Sequence, residues 1–441
     1  MKVEVSIGEA IDKLNILELK CKKITDENKI IEIKKEIDAL SECLIHKETN
    51  TFYYNLLTYV NESIWDMTND IKNKTIDDPE FAIISNNIFE YNQKRFRIKN
   101  WFNLLESSDI KEQKSYASTN CKIIIENKQT IFEKIAEIHY LALEYDAILF
   151  ETPYMDIVKK IFTIPTFIYD SNTIASLCID LHTYTIPESV DREIFELSPI
   201  KYLIGGLFGD FIQALSVVNE KFYQTGRKGI IYISNKGDAF RNGLENTYTD
   251  TYSIIKHQVY VNDYIIFDNH HYDIDLTSWR HDIIERVASN PSINWIDIYK
   301  KYDIEWGNHK WLTVANNNKW SNSILINTTH HRWPTDIDFS LLYQTYKDQL
   351  LFIGSHKEQY DFFVQTTSLN IPYIHCDTFF ELSTAIHSCK LFIGSLSGPL
   401  AIAHACHKDR IIGLCTSPLI DRQLNTQLYK IWNNISYYVS L

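Results

Sequence analysis

From residue 121 onward, short apolar runs alternate with helical stretches, and this alternation restricts the fold more than any other feature of the chain. The runs are rich in Ile and Phe, and in chain order they are CKIIIEN (121–127), YDAILFE (145–151), TFIYD (166–170), KYLIGG (201–206), KGIIYIS (228–234), DYIIFD (263–268), NSILINT (322–328), QLLFIGS (349–355), PYIHC (372–376), KLFIGS (390–395) and RIIGLC (410–415). Strands that alternate with helices are typical of parallel, doubly wound sheets. Two successive sets predict two Rossmann-like domains at 199–312 and 313–441, with a hinge in the Asn-rich stretch 306–320. An α/β connecting segment at 119–198 precedes them, either as its own subdomain or as an extension of the first Rossmann-like domain.

The first 118 residues have the pattern of an all-α helical bundle. Ser6 and Glu9 have the spacing of a capping box at the start of a helix. The apolar positions that follow recur at steps of four and three, as on one face of a helix, and they are Ala10, Leu14, Leu17, Cys21 and Ile24. A second helix is expected after Asp26, and further helical patterns cover about 51–72 and 84–106. The apolar seam of the first helix favours a homo-oligomer formed through the N-terminal helices.

Composition excludes several classes of function. The 44 Lys and Arg residues against 57 Asp and Glu residues give a formal charge of −13, and such a surface repels the phosphates of nucleic acids. No run approaches the roughly 18 to 20 apolar residues that cross a bilayer, and charges interrupt the start of the chain where a signal peptide is apolar. We therefore expect no transmembrane segment and a place in the cytoplasm or at the inner face of the membrane. The eight cysteines form no CxxC pair, which predicts reduced thiols.

A glycine-rich turn follows the KYLIGG run. Gly206 and Gly209 lie between this strand and a helical stretch, and such a turn lets the backbone approach a ligand closely. The spacing is not the GxGxxG fingerprint, so the turn alone is equally compatible with a structural role. Asp210 stands at the start of the helix, where a carboxylate that faces a cleft acts as a general base. The alternative role for Asp210 is that of the helix N-cap.

Two further strand ends carry residues suited to a phosphate. Thr328, Thr329 and Arg332 follow the NSILINT run, and hydroxyls with a guanidinium at the carboxyl end of a strand suit a diphosphate. Ser397 and Gly398 form a small-residue turn between the KLFIGS run and a helix, which presents backbone N–H groups to a phosphate.

Ser397 does not fit a GxSxG nucleophile elbow. The chain also has no GxxxxGKS or GxxxxGKT segment, which argues against a P-loop enzyme.

Two pairs of neighbouring histidines, at 270–271 and 330–331, raise the question of a metal site. Adjacent side chains on an extended chain point to opposite faces. Neither pair is therefore expected to bind a metal ion, and we predict a site without metal.

Together, and in this order, these segments resemble the heptosyltransferase family of bacterial lipopolysaccharide synthesis over about residues 199–415. The family's GxGD-like turn, its Thr-Thr-basic-Trp-Pro segment, its donor turn and its ribose-binding acid are matched by Gly209, Asp210, Thr328, Thr329, Arg332, Trp333, Pro334, Glu358, Ser397 and Gly398. Two positions depart from the family. Leu396 replaces an acid before the donor turn, and Ala401 replaces a histidine after it, so the donor base and sugar stay open.

The resemblance implies the GT-B fold, which is a pair of facing Rossmann-like domains. It implies metal-independent transfer of a sugar from a nucleotide-sugar to a bacterial surface glycan or glycoprotein. In that scheme Asp210 is the general base, and Gly206 and Gly209 form the acceptor-side turn. The donor-binding residues are Thr328, Thr329, Arg332, Glu358, Ser397 and Gly398. The nucleotide-sugar is a co-substrate, and no cofactor is expected.

The first 118 residues resemble a helical family of bacterial proteins of unknown function that is met beside polysaccharide genes. The matching stretches are VEVSIGEAIDKLNILELK, VNESIWDMTNDI, YNQKRFRIKNW and EQKSYAS. That family implies no chemistry. Asp12, Lys13 and Asn15 are expected to be exposed, where they either line a site or form an ordinary solvated helix face.

Three functions stay open on this reading of the sequence. The first is a glycosyltransferase. The second is a catalytically inactive GT-B-like scaffold in a polysaccharide-assembly complex, and the third is an epimerase or another nucleotide-sugar enzyme of the same fold. The presence of Asp210 and Arg332 favours the first function over the scaffold, because a scaffold needs neither a base nor a diphosphate site.

Overall fold

The computed structural model describes residues 4–110, 119–169, 175, 177–277, 301–304, 309–395 and 397–413. The chain divides into two compact units, Met1–Ser198 and Pro199–Leu441. Leu396, Cys415 and the EQKSYAS stretch, which the sequence analysis singled out, lie outside the described residues. Within the described ranges, no helix carries an apolar stretch sufficient to cross a bilayer.

Helices make up all the regular structure described in the first 110 residues. Ser6 caps the first helix, since its Oγ accepts a hydrogen bond from the Glu9 N–H at 3.2 Å, and Asp26 caps the second through the N–H groups of its first turn. Both caps agree with the prediction, because short polar side chains satisfy N–H groups that a helix start leaves unpaired. The α-helices are Ile7–Lys23 (α1), Glu27–Ala39 (α2), Leu44–Thr49 (α3), Thr51–Ile71 (α4) and Pro79–Leu105 (α5).

A buried polar network joins α1, α4 and α5. Asp12 and Asn15 are each only 2% exposed, so the prediction that they face solvent is wrong. Nδ2 of Asn61 donates to Oδ1 of Asp12 at 3.1 Å and to Oδ1 of Asn15 at 2.9 Å. Arg95 pairs with the Asp12 carboxylate, with Nε 2.8 Å from Oδ1. Polar residues at core positions of α1 thus find partners on two other helices, which sequence periodicity alone does not reveal.

The first unit also contains a four-stranded parallel sheet in the order β3-β2-β1-β4. Its strands are Asn120–Ile124 (β1), Ala147–Glu151 (β2), Phe167–Ile168 (β3) and Leu177–Asp180 (β4), and the helices Lys128–Glu133 (α6), Ile135–Glu144 (α7) and Met155–Ile161 (α8) accompany them. The first three strands confirm the predicted apolar runs. Sequence analysis missed β4, because this edge strand is largely exposed and carries no continuous apolar run.

His139 on α7 is buried in the first unit. Its Nδ1 lies 2.8 Å from the carbonyl oxygen of Phe195, to which it donates, and its ring packs 4.6 Å from that of Phe52 and 5.4 Å from that of Phe162. Burial lowers the pKa of His139 to about 4, against the smaller opposing effect of the bond to Phe195. The folded protein therefore holds this imidazole neutral at pH values where an exposed histidine is charged.

The second unit begins with a four-stranded parallel sheet in the order β7-β6-β5-β8. Its strands are Ile200–Ile204 (β5), Gly229–Ile233 (β6), Val261–Ile266 (β7) and Ile274–Asp275 (β8), and its helices are Phe208–Thr225 (α9) and Leu244–Ile255 (α10). The three longer strands confirm predicted runs. The two-residue strand β8 is too short to have been recognised.

A five-stranded parallel sheet follows in the same unit, in the order β11-β10-β9-β12-β13. Its strands are Ile324–Asn327 (β9), Leu350–Gly354 (β10), Tyr373–His375 (β11), Leu391–Gly394 (β12) and Arg410–Ile412 (β13), and its helices are Phe339–Tyr346 (α11), Lys357–Thr367 (α12), Phe379–Ser388 (α13) and Gly398–Ala405 (α14). All five strands confirm predicted runs. The fold class, α/β with parallel sheets after a helical region, agrees with the prediction at this level.

Part of the chain that joins these two sheets is buried, at Trp311 and Leu312. Trp311 and Leu312 are at most 1% exposed, and their two backbone N–H groups both donate to the carbonyl oxygen of Ala405 at 3.1 Å. The indole N–H of Trp311 donates to the Ile212 carbonyl on α9 at 2.8 Å. Trp311, Leu312 and Val314 are buried, whereas the Asn-rich residues 315–319 are exposed, and the hinge at 306–320 stays a prediction.

Polar side chains that belong to the first sheet and its helices form hydrogen bonds with residues 309–313. The Tyr260 hydroxyl donates to the Trp311 carbonyl at 2.7 Å. Gln258 forms two bonds to the backbone of Thr313, of 2.8 and 3.0 Å. Glu220 on α9 accepts from the backbone N–H of His309 at 2.9 Å, and its second oxygen lies 2.8 Å from Nδ1 of the same residue. The backbone groups of the segment are therefore paired without regular secondary structure.

The buried histidine gives a pH prediction for stability. The unfolded chain protonates position 139 near pH 6.5, whereas the folded chain does so only near pH 4. Stability from this group is therefore fully present above pH 6.5 and is lost as the pH falls towards 4, by at most about 1.4 kcal/mol per pH unit. Urea unfolding between pH 7.5 and 5 should show a smaller loss of unfolding free energy in His139→Gln than in the wild type. Equal pH dependence in the two proteins would contradict the prediction.

Candidate functional site

Each of the two parallel sheets in the second unit has one point at which the order of its strands reverses. In the first sheet, chain order proceeds outward from β5 to β7 on one side and to β8 on the other, and in the second sheet β9 lies between β10 and β12. In open parallel sheets, ligands bind beyond the carboxyl ends of the strands at such reversal points. The predicted site residues lie after β5, β9 and β12, except Glu358, which follows β10.

The turn after β5 requires glycine at two positions. A methyl group on Gly205 would lie 2.5 Å from the carbonyl oxygen of Lys236, which is too close for any side chain. Gly206 has φ +102°, in the region that favours glycine. The helix α9 then starts with Leu207 as N-cap, and Asp210 lies half-buried in its first turn. The alternative that Asp210 is the N-cap is therefore wrong, and its carboxylate lies near the positive end of the helix.

Two buried polar side chains lie at the carboxyl end of β9. Asn327 and Thr328 are each 1% exposed. Nδ2 of Asn327 donates to the Ile353 carbonyl on β10 at 2.7 Å, whereas its Oδ1 and the Thr328 hydroxyl have no hydrogen-bond partner among the described residues. Buried polar atoms are normally paired, so these two atoms point to a missing ligand or water.

The turn after β12 completes this edge of the second sheet. The Ser395 hydroxyl accepts from the Thr329 N–H at 3.2 Å, and the Ser397 hydroxyl donates to the Ser395 carbonyl at 3.0 Å. The side chain of Ser397 does not cap α14, although Ser397 is its N-cap residue. The helix start lies beside Thr329 and presents the N–H groups of Gly398 and Leu400, an arrangement that favours an anion. Pro399 has no N–H, and the Ala401 N–H donates to the Ser397 carbonyl.

The structure brings the starts of α9 and α14 together. A methyl group on Gly209 would lie 3.6 Å from both the Cα and the backbone nitrogen of Gly398. A methyl group on Gly398 would lie 3.0 Å from the ring of Phe208. A methyl group at Gly209 would make an ordinary van der Waals contact, whereas one at Gly398 would require the Phe208 ring to shift by a few tenths of an ångström. Asp210 therefore lies in the same region as Ser397 and Gly398, although almost 190 residues separate them in sequence.

The two remaining predicted donor residues lie at the same edge of the second sheet. Arg332 is half-buried in a turn of 3-10 helix, His330–Arg332, that follows Thr329 directly. Glu358 lies in the first turn of α12, after β10, and its side chain is 76% exposed with one oxygen 3.4 Å from Nδ1 of His356. Since β10 is the neighbour of β9, both residues flank the buried pair Asn327 and Thr328.

Sequence analysis missed Asn327 and Ser395. The available signal was a polar residue at the end of an otherwise apolar strand in each case, at NSILINT and KLFIGS. These positions carry buried hydrogen-bonding groups at the reversal point of the second sheet, and an Asn at a strand end is otherwise compatible with a simple turn.

The histidine pair at 330–331 lies in a 3-10 turn, not on the extended chain that was predicted. The two rings lie with centroids 3.4 Å apart in the 3-10 turn, so the argument from an extended chain does not apply there. In the described ranges, no group of three or more His, Cys, Asp or Glu side chains is arranged to hold a metal ion.

Comparison with known proteins gives a family match for the amino-terminal part. Residues 1–126 match the model of a family of unknown function, DUF6165. This is less than a third of the 441 residues, so it assigns no family to the chain as a whole. No curated protein matches the sequence.

Solved structures show distant likenesses. A glycosyl transferase family 9 protein from Veillonella parvula is 12% identical, with a TM-score of 0.34 over 50% of this chain and 83% of that chain. The E. coli ADP-heptose LPS heptosyltransferase II is 12% identical, with a TM-score of 0.24 over 70% and 88%. A UDP-N-acetylglucosamine 2-epimerase from Rickettsia bellii is 11% identical, with a TM-score of 0.21 over 72% and 89%.

The unpaired hydroxyl of Thr328 gives a sharp test of the anion site. Thr328→Val keeps the shape and removes a buried group that costs about 1–3 kcal/mol when unpaired, so the protein without ligand should be equally or more stable. If the hydroxyl binds a phosphate oxygen, the affinity for UDP or ADP should fall about 10-fold, which is about 1.4 kcal/mol. Thermal unfolding with and without each nucleotide measures both effects.

Thr384→Val is the matched control, because the Thr384 hydroxyl on α13 is also buried without a partner among the described residues. This variant should keep the wild-type nucleotide affinity. Loss of stability without ligand, combined with unchanged affinity in Thr328→Val, would mean that the hydroxyl serves the fold.

Proposed function

We propose that the chain is a metal-independent glycosyltransferase that moves a sugar from a nucleotide-sugar to a hydroxyl of a bacterial surface glycan or glycoprotein. The observation that carries the proposal is the meeting of α9 and α14 at Gly209 and Gly398. This contact supports the proposal, because Asp210 follows Gly209 in α9 and the start of α14 is suited to a diphosphate. Group transfer to a hydroxyl requires a base and a stabilised leaving group within one site.

In the proposed reaction the acceptor oxygen forms a bond to the anomeric carbon of the donor. The bond between that carbon and the diphosphate oxygen breaks, and its electron pair leaves with the nucleoside diphosphate. Asp210 takes the proton of the acceptor hydroxyl. Its place in the first turn of α9 favours the ionised form that a base requires.

Hydrogen-bond donors and a cation of the second sheet stabilise the negative charge of the leaving diphosphate. These are the N–H groups at the start of α14, the hydroxyls of Thr328 and Thr329 and the guanidinium of Arg332. Such preorganised donors do the electrostatic work that a metal ion does in other transferases. Glu358, exposed at the start of α12, is suited to a ribose hydroxyl.

The first test is thermal unfolding of the full chain with UDP, ADP, GDP and their sugar conjugates. A ligand at 100 times its dissociation constant should raise the unfolding free energy by about 2.7 kcal/mol. We expect a shift with one base, and Arg332→Ala should abolish it. Absence of a shift with every nucleotide would favour the inactive scaffold instead.

Asp210→Asn tests the base. We expect turnover of the preferred donor to fall by a factor of about 10² to 10⁴, the usual contribution of a general base, while the nucleotide-induced thermal shift remains. Glu245→Gln is the matched control, since Glu245 is an exposed acid in the first turn of the neighbouring helix α10. This control should keep full turnover. Full turnover in Asp210→Asn with donor still bound would show that another group is the base.

A further inference from the structure

The segment between β7 and β8 presents an aromatic ring flat against the first sheet of the second unit. The ring of His270 stacks on that of Tyr232, with centroids 4.8 Å apart and an angle of 6°. Nδ1 of His270 accepts from the Asp268 N–H at 3.2 Å. His270 is exposed. One ring face is therefore covered by Tyr232, and the other face is open.

An ion pair between Lys236 and Asp275 lies beside the segment that carries His270 and Tyr272. Nζ of Lys236 lies 2.6 Å from Oδ2 of Asp275 and 3.0 Å from the Tyr272 hydroxyl. The other oxygen of Asp275 accepts from the N–H and the hydroxyl of Thr277, at 2.8 and 2.6 Å. Burial opposes ionisation of Asp275, but these bonds hold its pKa below the usual range. The pair is preorganised and still open, with 52% of the Lys236 side chain and 30% of that of Asp275 exposed.

This group adjoins the turn that leads to Asp210. The carbonyl oxygen of Lys236 and the side chain of Thr277 both lie against Gly205, at 2.5 and 3.4 Å from a methyl group placed there. A methyl group on Gly237 would lie 2.7 Å from the Thr277 carbonyl. The loops after β5, β6 and β8 are therefore in direct contact, and a ligand on the ion pair would lie next to the glycine-rich turn.

We propose that Lys236, His270, Tyr272 and Asp275 form a subsite for a neutral sugar ring of the acceptor. The four residues are called the sugar platform below. The inference rests on the proposed glycosyltransferase function and specifies its acceptor class.

The recognition follows from the chemistry of the four side chains. One face of a sugar ring consists of C–H groups, which pack on the electron-rich face of an aromatic ring such as that of His270 or Tyr272. Sugar hydroxyls both donate and accept hydrogen bonds. A hydroxyl can donate to the carboxylate of Asp275 while another accepts from the ammonium of Lys236, and bonds to ionised groups are stronger than neutral ones.

The charged side chains at and near the platform disfavour an anionic acceptor. Asp275 compensates the charge of Lys236, and Asp268 adds an exposed carboxylate on the same segment. Lys236 is the cation of the platform and is already paired, so a phosphate or carboxylate bound there would lose its hydration and meet these two carboxylates. The platform therefore selects uncharged sugars over phosphorylated or sialylated ones.

The test is binding of the full chain to an array of neutral, phosphorylated and sialylated oligosaccharides. We expect signals on neutral oligosaccharides, reduced at least 10-fold in Tyr272→Ala and in Lys236→Gln. Tyr252→Ala is the matched control, since Tyr252 is a 40% exposed tyrosine on α10 of the same sheet domain. The control should bind as the wild type does. Binding only to charged oligosaccharides, no binding to neutral ones, or full binding by both platform variants would overturn the inference.

The nucleotide thermal shift, measured on the same preparations, separates this inference from the proposed function. Tyr272→Ala and Lys236→Gln should keep the shift, which also shows that they are folded. Neutral sugar binding without any nucleotide shift would support the platform and remove the donor site. A nucleotide shift without neutral sugar binding would leave the donor site in place and overturn the platform.

Discussion

The internal connection between the two sheets of the second unit is the constraint on which the site depends. Its Trp311 bonds to α9 through the indole N–H and to the end of α14 through the backbone. A buried segment with no regular structure must pair every backbone group with a side chain or another loop. Gln258, Tyr260 and Glu220 do so here. These bonds tie α9 to α14, and the two helix starts then meet at a pair of glycines.

The contact between the starts of α9 and α14 brings together features of both sheets. Each sheet has a reversal point at its carboxyl edge, and each would by itself bind an anion or a sugar. The start of α14 favours negative charge, and the start of α9 carries a carboxylate in its first turn. Gly209 lies against Gly398, so the proposed base Asp210 and the proposed phosphate site at the start of α14 lie on neighbouring helix turns.

Buried polar groups serve different purposes in the two units. In the helical region, Asp12, Asn15 and Asn61 are satisfied by one another and by Arg95, so they fix the packing of α1, α4 and α5. At the end of β9, Oδ1 of Asn327 and the hydroxyl of Thr328 are equally buried but lack protein partners among the described residues. A satisfied network stabilises the fold, whereas an unsatisfied pair at a strand end is a candidate contact for the proposed ligand.

The sequence by itself determined the local elements. Short apolar runs identified every longer strand of the second unit, and Ser6 and Asp26 marked the starts of the first two helices, because these signals depend only on neighbouring residues. It also singled out the turns that follow β5, β9 and β12. Tertiary structure alone decided the burial of Asp12, the pairing of Glu220 with His309 and the contact of Gly209 with Gly398. Those features join residues distant in sequence, and packing across helices and sheets, which no local pattern records, determines them.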